Sequence, residues 1–121
     1  MAKKIRIKRI YDAPARSDGA RILVDRLWPR GLRREDAAVD AWLKDAAPSD
    51  SLRRWFGHDP EKWGEFKRRY VAELRTNPAA DELMNAVAAR KTVTLLFAAK
   101  DSVHNNAAVL RDFLRGETGD A

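Results

Sequence analysis

The stretch ARILVDRLWPRG, residues 20–31, decides the fold. Ile22, Leu23 and Val24 follow one another without a polar break. A short, unbroken run of aliphatic side chains is typical of a strand that is covered on both faces, as in a parallel sheet. The run ends in Asp25 and Arg26, so the predicted strand carries two charged side chains at its carboxyl end.

A second strand of the same kind is predicted at TVTLLFAA, residues 92–99. The segment between the two strands is long and shows helical patterns, which predicts parallel neighbours joined by a right-handed crossover. The N-terminal KKIRIKRIY alternates apolar and basic residues and predicts a half-exposed edge strand. This first strand fits either a parallel arrangement or an antiparallel hairpin with the second strand, and the sequence leaves that choice open.

Helical patterns fill the rest of the chain. In EDAAVDAWLKDAA, the apolar residues Val39, Trp42, Leu43 and Ala46 recur at helical spacing, which predicts a helix that ends at Pro48. Further helices are predicted in SDSLRRWFG, in the segment after Asp59, after Asn77, and in NAAVLRDFLRG. Their aromatic residues are expected to form scaffold: Trp42, Trp55, Phe56, Trp63, Phe66 and Tyr70.

The sequence thus predicts a small single α/β domain over residues 1–116, with a few-stranded, mostly parallel sheet flanked by helices. Residues 117–121 are predicted to be a disordered tail. The chain has 121 residues and no cysteine, which excludes disulfides, zinc–thiolate sites and thiol catalysis and favours a cytoplasmic protein. No secretory signal, membrane span, metal site or cofactor is predicted.

Charge is distributed unevenly. The formal net charge is +6, but residues 1–34 hold 11 Lys/Arg and only three Asp/Glu, a balance of +8, and the remainder carries −2. A basic N-terminal third favours an anionic partner such as a phosphate, a nucleotide or nucleic acid. The alternative is a solvated surface that keeps the protein soluble.

The predicted functional residues follow the two buried strands. Ligands of open α/β sheets bind beyond the carboxyl ends of the strands, and a helix N-terminus there favours anions. The expected ligand-binding residues are Arg26, Trp28, Arg30, Lys100, Asn105 and Asn106. Asp25, Asp101 and His104 are candidates for an acid or base, although the sequence predicts no particular reaction.

Each of these residues also has a structural interpretation. Asp25 can form an ion pair with a neighbouring cation, Trp28 can pack in or beside the core, and Asn105 or Asn106 can cap the last helix. His58, which precedes Asp59 and Pro60, is interpreted as part of a helix entry.

Three stretches resemble a known family: SDGARILVDRLWPRGL, APSDSLRRWFGHDPEKWGEFKRRYVAEL and VTLLFAAKDSVHNNAAVLRDFL. They are similar to the YeaO-like branch of domain-of-unknown-function family 488, over nearly the whole chain. The resemblance implies a small cytosolic bacterial α/β protein of unestablished activity. Many relatives carry cysteine and histidine after the last strand, where this chain has AAKDSVHNN, so no thiol role carries over to it.

Two functions from different classes follow. The first is a protein, enzyme or not, that binds a phosphate- or carboxylate-bearing small molecule at the strand ends. The second is a non-specific nucleic-acid-binding or regulatory module that uses the basic N-terminal third. The expected buried placement of Arg26 and Lys100 at strand ends favours the first, because a nucleic-acid interface uses exposed basic surfaces. The oligomeric state is left open.

Overall fold

The computed structural model describes residues 4–116 and shows a four-stranded parallel sheet with the strand order β1-β4-β2-β3. The strands are β1 (Lys4–Arg9), β2 (Ala20–Leu23), β3 (Ala41–Trp42) and β4 (Thr92–Phe97). The α-helices of this part of the chain are α1 (Arg34–Ala37), α2 (Asp50–Phe56), α3 (Trp63–Arg75), α4 (Pro78–Ala88) and α5 (Asn106–Arg115). Short 3-10 turns occupy Arg16–Asp18, Lys44–Ala46 and Pro60–Lys62. The predicted α/β class is confirmed, and the predicted tail at 117–121 lies outside the described residues.

The two buried strands are parallel neighbours, as predicted. β2 pairs with β4 in a register that runs from Ala20 opposite Val93 to Leu23 opposite Leu96. All four residues of β2 are buried, and the last five of β4 are buried as well. Their carboxyl ends therefore meet at one edge of the sheet, where the charged residues of both exits emerge.

The first strand is parallel and lies at the far side of β4. Ile5 pairs with Val93 and Ile7 with Leu95, so β4 separates β1 from β2. This arrangement decides the alternative that the sequence left open, because strands that are not neighbours cannot form a hairpin. β1 is an edge strand, and its Lys4 and Arg6 are exposed.

The predicted helix over residues 35–47 is wrong. Helix α1 stops after four residues, and Ala38 adopts a left-handed conformation (φ 52°, ψ 47°). The chain then adds Ala41–Trp42 as a parallel edge strand beside β2. The Arg21 guanidinium binds the carbonyls of Ala37 and Ala38, both at 2.9 Å, so the end of α1 is fixed from outside the segment. The open edge of β2 also gains a backbone partner, and these tertiary bonds outweigh the local helical pattern.

The other predicted helices are present, each with a defined start. Ser49 caps α2, Asp59 caps the turn that leads into α3, Asn77 caps α4 and Asn105 caps α5. Each of these side chains accepts a hydrogen bond from a free backbone N–H of the first turn, the usual role of such residues. Within residues 4–116, no helix combines the length and apolarity needed to cross a membrane.

The aromatic residues of α2 and α3 form scaffold, as predicted. The Phe56 and Phe66 rings stack with centroids 4.2 Å apart, and the Tyr70 ring lies 5.7 Å from Phe66. These residues belong to the main core against the sheet, with Trp55 and Trp63 half-buried at its border. Trp42 instead packs against a second, smaller cluster of buried apolar residues. The helical middle thus supports the sheet edge from which β2 and β4 emerge.

Candidate functional site

A cavity of about 620 Å³ opens at the carboxyl edge of β2 and β4. Residues 25–30, which follow β2, form one wall, and residues 98–99 and 104–106, which follow β4, form another. The remaining lining comes from Tyr11, Phe66 and the α2 region, where it consists of Ala47, Pro48, Arg53, Phe56 and His58. We call this cavity the cleft. It lies where ligands of open α/β sheets bind.

Asp25 stands between the two strand exits. Its Oδ2 accepts a hydrogen bond of 2.9 Å from the Ala98 backbone N–H, and its backbone carbonyl accepts one of 2.7 Å from Trp42 Nε1. Burial raises the pKa of the Asp25 carboxyl, although the Ala98 N–H, the Asn106 amide and the His58 charge act in the opposite direction. A held carboxyl group with a raised pKa is suited to accept a hydrogen bond or move a proton.

Arg26 lines the cleft and also makes structural contacts. Its Nη2 donates to the carbonyls of Ala47 (3.4 Å) and Pro48 (3.2 Å), and its guanidinium lies 3.6 Å from Asp45 and 3.9 Å from Asp50. Its Nε is buried and has no hydrogen-bond partner among residues 4–116, because the 3.9 Å to Asp50 is too long for such a bond. Arg26 therefore ties the loop before α2 to the cleft wall and keeps one donor unused.

Arg30 and Trp28 share the turn that follows β2. Tyr11 Oη donates 2.9 Å to the Arg30 carbonyl, which anchors the backbone, while the exposed Arg30 guanidinium has no hydrogen bond or ion pair within residues 4–116. Trp28 Nε1 donates 2.6 Å to the Leu32 carbonyl, and its ring meets the Trp42 ring edge-on at 5.5 Å. Trp28 thus supports the turn that presents Arg30, in agreement with its structural interpretation.

Lys100 and Asp101 do not line the cleft. Lys100 is exposed, and Asp101 accepts hydrogen bonds from the backbone N–H groups of Val103 and His104, both at 2.9 Å. Its other oxygen lies 2.8 Å from His104 Nδ1. The backbone N–H of His104, followed by that of Val103 and the His104 ring, lowers the pKa of Asp101 to about 2. Asp101 therefore shapes the loop and orients His104 from outside the cleft.

His104 lines the cleft. Its ring meets the edge of Trp63 at 5.2 Å, while Nδ1 faces Asp101. Nε2 has no hydrogen-bond partner within residues 4–116, so it is the nitrogen available for a ligand or a proton. An imidazole held by a carboxylate is a common arrangement for acid–base chemistry.

The two asparagines combine lining with structural roles. Asn105 is buried, accepts 2.9 Å from Ala108 N as the cap of α5, and donates 3.0 Å to the Asp101 carbonyl. Asn106 Nδ2 donates 2.9 Å to the Val24 carbonyl, which joins α5 to the end of β2. Both side chains therefore fix the cleft wall, and the capping interpretation applies to Asn105.

Sequence reasoning missed several residues that line the cleft: Tyr11, Arg53, Phe56, His58 and Phe66. They come from elements outside the two strand exits, so proximity along the chain gave no signal for them. The mark of His58 is visible only in the structure: in the Gly57-His58 turn both residues have a left-handed φ, 53° and 58°. A non-glycine residue in that conformation is uncommon and is enriched at functional sites.

The cleft is rich in basic side chains. Three arginines line it (Arg26, Arg30 and Arg53), together with two histidines, and among the described residues Asp25 is the one carboxylate in the lining. Asp45 and Asp50, outside the lining, pair with Arg26 and Arg53. Within residues 4–116, no group of three or more His, Cys, Asp or Glu side chains is placed to hold a metal ion.

Comparison with known proteins identifies the family. A family model described as "Inactive DUF488-N3 subclade" matches residues 4–120. The chain belongs to the DUF488 family. This DUF488 protein is 42% identical over 111 residues to the uncharacterized protein YeaO of Escherichia coli (strain K12), covering 92% of this chain and 96% of YeaO. It is also 42% identical over 113 residues to an uncharacterized protein of Mycobacterium tuberculosis (strain ATCC 25618 / H37Rv), covering 93% of this chain and 95% of the relative. No solved structure matches it significantly.

The Asp25→Asn variant of this DUF488 protein is expected to be more stable than the wild type at pH 7. Burial raises the pKa of Asp25 in the folded state above its ordinary value of 3.8, so ionisation of Asp25 weakens the fold as pH rises through the folded-state pKa. The asparagine keeps an acceptor for Ala98 N–H but carries no charge. Thermal melts from pH 3 to 7 should show a gain for the variant that shrinks toward the acidic end. A gain that grows toward the acidic end would contradict the raised pKa.

Proposed function

We propose that this DUF488 protein binds a small anionic molecule, with a phosphate or carboxylate group, in the cleft. The observation that carries the proposal is the set of arginines in the lining, Arg26, Arg30 and Arg53, of which the Arg30 guanidinium has no hydrogen bond or ion pair within residues 4–116. Arginine suits this role because its planar guanidinium donates paired hydrogen bonds to phosphate or carboxylate oxygens. The volume of about 620 Å³ lies within the usual range for small-ligand sites.

Arg30 is the cation most available to a ligand. Arg26 is already bound to two carbonyls, and Arg53 lies 3.4 Å from the Asp50 carboxylate. The Arg30 guanidinium has no such partner within residues 4–116, while its backbone is held by Tyr11. Because the backbone is fixed, binding has to order only the Arg30 side chain, whose donors are free to contact an anion.

We propose binding without turnover. Asp25 and His104 have the chemistry of an acid and a base, and both line the cleft. The family model that matches the chain is nevertheless described as an inactive subclade, and the chain has no cysteine to act as a nucleophile. Asp25 and His104 are therefore proposed as hydrogen-bonding partners of the ligand.

The alternative, a nucleic-acid module, is less favoured by the placement of the basic residues. Arg21 is buried against Asp18, Lys8 lies 3.2 Å from the same carboxylate, and Arg9 donates to the Ala98 and Ala99 carbonyls. These cations are engaged inside the fold, which leaves fewer of them for a polyanion.

The Arg30→Ala variant is expected to bind anions about tenfold or more weakly than the wild type, because a lost charge-assisted contact costs about 1.5–3 kcal/mol. Its free energy of unfolding should stay within about 0.5 kcal/mol of the wild type, as is usual for a surface change. Isothermal titration calorimetry with inorganic phosphate, ribose 5-phosphate and citrate measures the first quantity, and thermal melts measure the second.

Arg16→Ala is the matched control, because Arg16 is also an exposed arginine of the basic third but does not line the cleft. It removes the same charge and should leave anion binding unchanged. Equal losses in the two variants would indicate a non-specific charge effect. A lower melting temperature for Arg30→Ala without a change in affinity would assign Arg30 to structure and contradict the proposal.

A further inference from the structure

Resting on the proposed function, we infer that the ligand of the cleft is a phosphate ester of a planar ring that carries an N–H donor, as in a nucleoside monophosphate, with the ring at Asp25 and the phosphate at Arg30. The inference comes from three features of the cleft: the place of its carboxylate, the place of Arg30, and the number of rings in its lining.

The inner end of the cleft requires a donor. Asp25 follows β2 directly, and Ala98 N–H fixes one of its oxygens beside the exit of β4. An anionic group placed there would be repelled by the carboxylate. A carboxylate accepts several hydrogen bonds, and the Ala98 bond and the neighbouring Asn106 amide leave capacity for a ligand N–H. A ligand with only anionic groups would donate no hydrogen bond to the Asp25 carboxylate.

The outer end of the cleft suits the anion. Arg30 is exposed, and the Arg53 side chain is 51% exposed, so both cations stand toward solvent compared with Asp25. Arg26 also lines the cleft beside Asp25, but its Nη2 is bound to two backbone carbonyls. The most available cation, Arg30, therefore stands farther toward solvent than the Asp25 acceptor. A ligand that matches both ends has an N–H donor at one end and an anionic group at the other.

The lining of the cleft is also rich in rings. Tyr11, Trp28, Phe56, Phe66, His58 and His104 all line the cleft. Aromatic side chains bind planar rings by stacking or by edge contacts, and such contacts are a common means of holding a nucleobase. A nucleobase with an exocyclic amino group supplies both the planar body and the N–H donor, and its ester supplies the phosphate.

The test compares two nucleotides that differ in one donor. Adenosine 5′-monophosphate has an amino group on its ring, while purine riboside 5′-monophosphate has the same ring system, sugar and phosphate without it. Calorimetric titration of the wild type should show about tenfold tighter binding of the amino-bearing nucleotide. In Asp25→Ala the ratio of the two dissociation constants should fall to about one. Asp25→Asn, which keeps an acceptor for Ala98 N–H but loses the charge, should lower the ratio too, and serves if the alanine variant does not fold.

Arg30→Ala separates this inference from the proposed function. It should weaken both nucleotides to a similar extent and leave their ratio unchanged. A ratio of one in the wild type, or a ratio that persists in Asp25→Ala, would overturn the assigned ligand class, while phosphate binding that depends on Arg30 would keep the proposed function. Tighter binding of free tyrosine than of either nucleotide would overturn the inference in favour of an aromatic amino acid. If the nucleotides, ribose 5-phosphate, inorganic phosphate and citrate all fail to bind, both proposals fail.

Discussion

The Arg21→Met variant is expected to lose about 3–5 kcal/mol of its free energy of unfolding, the range for breaking a buried ion pair by removing one partner. Arg21 and Asp18 are both 4% exposed, and Arg21 Nη1 lies 2.5 Å from Asp18 Oδ2. Methionine is an unbranched side chain of similar length, so the loss measures mainly the missing donors and charge rather than a cavity. Urea unfolding followed by tryptophan fluorescence measures it.

The loss is large because Arg21 has several partners. Besides Asp18, its guanidinium binds the carbonyls of Ala37 and Ala38, which end helix α1. Without it, two carbonyls and part of a buried carboxylate lose their donors, and such groups are costly when unsatisfied. In Arg21→Met the buried Asp18 carboxylate keeps Lys8 as a partner but has lost Arg21. The double variant with Asp18→Asn removes this poorly paired charge and should therefore recover part of the lost free energy of unfolding.

Arg33→Met is the matched control for Arg21→Met. Arg33 pairs with Asp36 at the same spacing of three residues, at 3.3 Å, but both side chains are more than half exposed. Exposed pairs contribute little, so this variant should change the free energy of unfolding by less than about 1 kcal/mol. Similar losses in the two variants would show that burial does not govern the Arg21 pair.

The buried pair also gives a dependence on pH. Burial alone would raise the pKa of Asp18, but the Ala15 N–H and the Lys8 and Arg21 side chains outweigh burial and lower it below 3.8. A carboxyl group with a lowered folded-state pKa stabilises the fold above its unfolded-state pKa, and this contribution is lost as pH falls through the folded-state pKa. The difference between wild type and Arg21→Met should therefore narrow below about pH 4.

The sequence predicted the sheet better than the segment beside it. The runs at Ile22–Val24 and Leu95–Phe97 are apolar enough to identify buried parallel strands from composition alone. The segment over residues 35–47 was assigned to a helix because its apolar spacing fits one. Its real structure depends on Arg21, a distant residue whose guanidinium ends α1 and whose backbone pairs with Asp40. The apolar spacing within residues 35–47 gives no information about these contacts with Arg21.

The sequence predicted the location of the cleft better than it predicted the residues that line it. The rule for ligands of parallel sheets placed it at the ends of β2 and β4, and seven of the nine predicted residues line it, whereas Lys100 and Asp101 do not. Asp101 lies four residues beyond the end of β4, compared with two residues from the end of β2 to Asp25, and the Asp101 carboxylate is bound by the N–H groups of Val103 and His104. Arg53 and His58 reach the cleft from α2 and the turn after it, so only the packing of α2 against the sheet edge brings them there.

The Gly19→Ala variant is expected to be destabilised by about 3 kcal/mol or more, since a Gly-only backbone conformation and a steric clash coincide there. Gly19 has φ 65° and ψ −138°, a conformation essentially closed to residues with a Cβ. A Cβ at this position would lie 2.2 Å from the Thr92 carbonyl oxygen and 2.7 Å from its carbon. Both contacts involve the backbone at the start of β4, which cannot move without shifting the central strand of the sheet. Chemical unfolding of the variant measures the loss.

Two other glycines separate the causes of that loss. Gly31 also has a positive φ, 76°, but a Cβ there would meet nothing within 4 Å, so Gly31→Ala should cost only about 1 kcal/mol from the backbone. Gly64 lies in α3 with open space around it, and Gly64→Ala should stabilise the protein by up to about 1 kcal/mol. If Gly19→Ala loses no more free energy of unfolding than Gly31→Ala, residue 19 does not approach β4 as closely as the structure indicates. The difference in stability expected between Gly19→Ala and Gly31→Ala comes from one contact, between residue 19, just before β2, and β4 beside it. That contact sets where β2 starts, and through the register with β4 it sets where Asp25 emerges in the cleft.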